Sequence, residues 1–160
     1  MDLVERDEFH VCGWAVETTA ADNDTDVGAL YADFFDGDKH TVARALAGDH
    51  PGWFGLSWYT ENHERYGYLL GVEVDAEAEP PAGTVAKTLS PTRWAVASYD
   101  AGQDIMEAWT QFYFTDIPQA GLAPNDDYNL YFEYYPDDVH GDFQLWVPVV
   151  PAAAPALSDG

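Results

Sequence analysis

A chain of 160 residues with 47% hydrophobic and 15% aromatic content can bury a core of its own, which excludes a disordered linker or tail. Acids outnumber bases by 29 to 6, for a formal charge of -23, and so great an excess excludes nucleic acid and anionic membrane surfaces as direct partners. The acids run along the whole chain, and Lys39 and Lys87 are its only lysines, a pattern that fits a halophilic protein whose self-repulsion is screened by salt.

In chain order, Phe9 to Val16 reads as a first strand. Val27, Leu30, Tyr31, Phe34 and Phe35 then recur at helical spacing, with Asp24 or Thr25 as N-cap and Gly37 as stop. Residues 39–47 form a short extra helix or a loop. Trp53 to Tyr59 and Tyr66 to Val74 are two strands of a hairpin whose turn is Thr60 to Arg65. The block Ala76 to Gly83, with Pro80 and Pro81, separates two halves.

The second half follows the same plan. Thr84 to Leu89 and Trp94 to Tyr99 read as strands, and Ile105, Trp109, Phe112, Tyr113 and Ile117 share one helical stripe that Pro118 disfavours continuing. The strand around Glu133 and the strand Phe143 to Val149 form a hairpin across Asp137 to Asp142. Advancing 78 positions carries Asp26, Val27, Tyr31, Phe34 and Phe35 onto Asp104, Ile105, Trp109, Phe112 and Tyr113. The expected fold is therefore α+β: duplicated β-α-β-β units, at about 5–75 and 84–150, forming one antiparallel sheet with two main helices and a central ligand cleft. Residues 1–150 would make a single domain and 151–160 a flexible tail.

The stretch Asn129 to Pro136 sets one carboxylate inside an aromatic strand. With a period of two, Tyr131, Glu133 and Tyr135 face one side and Leu130, Phe132 and Tyr134 the other, so one side can seal a core while the other offers an acid between phenols. Other chemistry finds little support. His10, His40, His50, His63 and His140 lack metal-ligand spacing, no glycine-rich phosphate loop occurs, and neither a metal nor a cofactor is expected. Cys12, the single cysteine, excludes an internal disulfide and lies in an apolar segment. The N-terminus lacks a signal-peptide pattern and no apolar run nears a membrane span, so a cytoplasmic location is expected.

Taken in order, Val11-Cys12-Gly13, Phe54-Gly55-Leu56, Trp94-Ala95-Val96 with Asp100-Ala101-Gly102, Trp109 to Tyr113, Ile117 to Gly121, Phe132-Glu133-Tyr134-Tyr135 and Val147-Pro148-Val149 resemble the gyrase-inhibitor-like effector-binding domains, which are also attached to AraC-type and multidrug-sensing transcription regulators. The resemblance spans residues 5 to 150. It implies a central groove for small organic compounds, often aromatic cations, with the carboxylate of Glu133 against the ligand and neighbouring rings stacked on it. The long, Ala-rich segment 36–52 departs from the pattern, as does the lack of a helix-turn-helix extension, and a stand-alone sensor or sequestering protein is expected.

The candidate ligand-binding residues are Glu133, Tyr131, Tyr135, Tyr68, Trp58, Tyr99, Trp109, Tyr113 and Trp146. Glu73 stands at a roughly equivalent hairpin place in the first half. A small, flat or cationic organic molecule is the expected partner. The alternatives are a hydrolase of small electrophilic compounds that uses Glu133 with Tyr135, and a protein-interaction or inhibitor module.

Overall fold

The computed structural model describes residues 1–60 and 65–152, so part of the expected turn at 60–65 and most of the expected tail lie outside the described residues. Strands β1 (Asp2–Arg6) and β2 (Phe9–Thr18) lead into helices α1 (Asn23–Asp36) and α2 (Lys39–Ala47), then β3 (Trp53–Tyr59) and β4 (Tyr66–Val74). The second half runs β5 (Val85–Leu89), β6 (Thr92–Tyr99), α3 (Ile105–Gln111), a π-helical turn (Phe112–Asp116), α4 (Ile117–Gln119), β7 (Leu122–Pro124), β8 (Tyr131–Tyr135) and β9 (Phe143–Pro151).

All the strands join one sheet in the order β1-β6-β9-β8-β3-β4-β2-β5, with β7 added on β9. The two halves meet at the central antiparallel pair β3–β8, where Gly55 stands opposite Glu133. Those two residues are themselves 78 positions apart, so the offset read from the helices also relates the two central strands. The leading strands are exchanged: β1 pairs with β6 of the second half, and β5 pairs with β2 of the first.

The sheet is strongly curled. Four strands separate β2 from β6, so a flat sheet would hold them about 24 Å apart at the usual strand spacing. Yet the rings of Phe9 and Trp94 have centroids only 6.4 Å apart. The concave face is packed with Phe9, Val11, Phe54, Leu56, Leu69, Leu89, Trp94, Val96 and Phe132. Arg6 of β1 bridges the curl: it donates to Glu73 of β4 at 2.6 Å and its guanidinium lies 3.6 Å from the centre of the Phe9 ring.

The convex face carries the helices over two separate clusters. In one, α1 and α2 bring Leu30, Phe34, Ala43 and Ala47 onto Cys12, Tyr68, Leu70 and Val72. In the other, Ala108, Phe112 and Ile117 cover Ala95, Leu145, Val147 and Val149. The helical stripes explain this placement. Phe34 and Phe112, matched by the 78-residue offset, are both fully buried.

Three expectations are corrected. The described residues hold more than two helices, because α2 is a full element: its small Ala43 and Ala47 allow close approach to the sheet, and Arg44 donates to the carbonyls of His50 and Gly52, fixing the connection into β3. Nor does Pro118 end the second helix. It has no N–H to give the helix ladder, and the chain answers with a π turn in which Ile117 N–H reaches Phe112 O, so α4 continues the rod. The expected central cleft is not open at Glu133 in this conformation, where side chains cover the acid.

Candidate functional site

Glu133 sits at the middle of β8, on the convex face between the two helix-covered clusters. It is 8% exposed and is the one buried acid or base among the described residues. Room for it comes from across the strand pair. Gly55 has no side chain, and a Cβ there would come within 2.6 Å of Glu133 Oε1 and run into the Tyr68 hydroxyl. Gly55 is thus a steric requirement of the site.

Each half of the molecule holds one carboxylate oxygen. Tyr68 of β4 donates its hydroxyl to Oε1, and Trp109 of α3 donates Nε1–H to Oε2 at 3.2 Å. Tyr135, two residues along β8, lies close enough to act on the carboxyl as well. Tyr31 of α1 shares a hydrogen bond with the Tyr68 hydroxyl at 2.7 Å. Tyr31 and Trp109 are matched by the 78-residue offset: Trp109 ties α3 to the acid directly, and Tyr31 ties α1 to it through the Tyr68 hydroxyl.

All these partners are neutral. Among the described residues, no lysine, arginine or histidine bonds Glu133, and no ion pair includes it. Burial raises the carboxyl above its ordinary range, while the bonds from Tyr68 and Trp109, with nearby Tyr135, oppose that rise. Burial and the neighbouring acid push Tyr31, Tyr68 and Tyr135 upward too, so these phenols keep their protons.

The other sequence candidates divide by face. Tyr131 stands beside the cage, with ring centroids 5.6 Å from Trp109 and 5.9 Å from Tyr59, and Tyr113 lies within electrostatic reach of Tyr131. Tyr99 is on the convex side but stacks on Phe143 at 5.3 Å within the second-half core, away from the acid. Trp58 and Trp146 belong to the concave cluster. Glu73 pairs with Arg6, and the register makes Gly55 the counterpart of Glu133 in the first half.

Sequence reasoning missed Tyr31 and Gly55 as parts of the site. The offset that matched Tyr31 to Trp109 was the available signal for the first, and the same offset leads from Glu133 to Gly55. Two surface grooves, of about 510 Å³ beside Trp14 and Asp26 and about 360 Å³ beside Met106 and Phe114, do not include Glu133 in their linings. In this conformation the acid is roofed by rings.

Residues 2–149 match the family described as Cass2, integron-associated effector binding protein. The chain belongs to this family. Among solved structures, the Cass2-type fold is shared with SAV2435 bound to tetraphenylphosphonium, at a TM-score of 0.74 and 13% identity over 93% of each chain. It is shared also with the integron cassette protein VCH_CASS2 from the mobile metagenome of Vibrio cholerae, at 0.67 and 17% identity, over 93% of this chain and 95% of that one. The C-terminal domain of EcmrR aligns at 0.63 and 10% identity, over 94% and 97%. No curated protein matches the chain. At these identities the likeness to solved structures is one of fold, and it agrees with the effector-binding family read from the sequence.

Among the described residues, no group of three or more His, Cys, Asp and Glu side chains is placed to hold a metal ion. No described helix is long and apolar enough to cross a membrane.

Proposed function

We propose that this Cass2-family chain binds a small aromatic or cationic organic molecule at Glu133, as a sensor or sequestering protein. One observation carries the reading: a buried carboxylate at the junction of the two halves with only neutral partners. Such a charge is costly to hold without a counter-charge, and a cationic guest supplies one. The faces of Tyr31, Tyr68, Trp109, Tyr131 and Tyr135 add cation–π attraction of roughly 0.5–2 kcal/mol per well-placed ring. The half-buried rings on α1 and α3 are the ones that must swing aside to admit the guest. SAV2435, bound to tetraphenylphosphonium, shows that the shared fold can hold such a cation.

Binding is favoured over hydrolysis because the acid's neighbours are phenols held above their ordinary range and an indole, which orient a carboxylate but give it no second group that exchanges protons near neutrality. The test is calorimetric titration with tetraphenylphosphonium and with a neutral tetraphenyl compound of the same shape. Glu133→Gln should weaken the cation by about tenfold or more, about 1.4 kcal/mol, and leave the neutral compound nearly unchanged. Equal loss for both would remove the charge role.

The dispersed acids support a cytoplasm rich in salt as the working environment. Raising KCl from dilute to molar concentration should raise the melting temperature, and a flat or falling trend would reject that assignment.

A further inference from the structure

On the binding reading, the charge of Glu133 before a guest arrives depends on the groups around it. Among the described residues, the groups that face Glu133 come from five elements. Tyr68 and the more distant Tyr66 come from β4, Tyr31 from α1, Trp109 from α3, Tyr135 from β8 and Gly55 from β3. None is cationic, and none of the phenols gives up its proton in the range where a carboxyl titrates. Of these groups the acid alone changes charge in the range where a carboxyl titrates, a range that burial moves upward.

We infer that the site is a proton-for-cation exchanger: the empty cage keeps Glu133 as a neutral carboxylic acid, and an arriving organic cation expels that proton to solvent. The O–H bond of the carboxyl breaks, the proton passes to water or buffer, and the positive charge of the guest replaces it, so the net charge of the cage is unchanged. Hydrogen-bond geometry accommodates both states. In the carboxylate, Oε1 and Oε2 accept from Tyr68 and Trp109. In the acid, the carboxyl can turn one bond around by donating to the Tyr68 hydroxyl, which is free to donate onward to Tyr31. That phenol pair leads from the buried acid toward the half-buried flank of α1, a path for the leaving proton. Burial favours the neutral form of an acid left without a counter-charge.

The consequence is a pH-dependent affinity for a ligand that does not itself titrate. Below the titration of the empty site, binding of tetraphenylphosphonium should release close to one proton, and its affinity should rise about tenfold per pH unit, levelling off above that titration. The experiment is calorimetric titration of the whole chain with tetraphenylphosphonium from pH 5 upward, at fixed molar KCl, in buffers of different ionisation enthalpy. Proton release that disappears in Glu133→Gln supports the exchange. As a measure independent of that variant's affinity, the infrared band of a protonated carboxyl should be present in the free protein at low pH and lost on adding the cation. Tight binding with no proton release at any pH, or equal release in Glu133→Gln, overturns the exchange while leaving the binding reading intact. Failure of the cation to bind at every pH defeats both.

Discussion

The two strands at the centre of the sheet occupy equivalent places, yet one presents Gly55 and the other Glu133. Around this pair the halves are closely matched: Phe34 and Phe112 anchor the helices, Trp109 donates to the carboxylate, and Tyr31 reaches it through the Tyr68 hydroxyl. The paired units thus share a frame, while the proposed site rests on a position where they differ. Two acids facing each other would repel, and two side chains would not fit. A single acid against a glycine gains space, two sets of donors and a location that both halves share.

The largest test of the comparison concerns the anchors. Phe34→Ala and Phe112→Ala should each cost about 3–5 kcal/mol in denaturant unfolding, because both leave a ring-sized void under a helix. Similar losses would confirm equal structural weight, and a loss confined to one variant would break the equivalence.

Next comes the broken position itself. Gly55→Ala should cost about 1–3 kcal/mol by forcing apart Tyr68 and Glu133, whereas Gly28→Ala, in open space on α1, should gain about 0.5–1 kcal/mol from helix propensity. If Gly55→Ala is as stable as the parent chain, the steric requirement fails.

The smallest effect is the pH dependence of stability. Because burial raises Glu133 in the folded protein, the folded state holds a proton that the unfolded chain, with its ordinary value of 4.5, has begun to release. The acid therefore favours folding most at low pH, and that contribution is lost as pH rises through the folded-state titration. The difference in stability between the parent chain and Glu133→Gln should fall across that window and level off above it. A difference that rises with pH would mean that the carboxylate is the better-accommodated form.

Much of this frame is legible in the chain because the helices are amphipathic: rings at helical spacing locate both, and their offset reveals the paired units. The acid is legible too, since one charge among Tyr131, Phe132, Tyr134 and Tyr135 stands out. The strands are harder. In β3 and β9 both faces are apolar, so no alternation tells which side Trp58 or Trp146 takes, and only the register places them in the concave core. Strand β1 is also hidden, because as an edge it leaves Asp2, Leu3 and Glu5 exposed and reads as a charged N-terminus. The 78-residue offset points to Gly55 and Tyr31, but their place at the acid rests on contacts made across 78 and 37 residues of chain.

The exchange of leading strands has a mechanical consequence. Since β1 borders the second half and β5 the first, pulling either unit away strips an edge from its twin. Cleaving the backbone in the 76–83 connector should therefore leave two pieces still laced together. They would part only when the whole sheet comes undone.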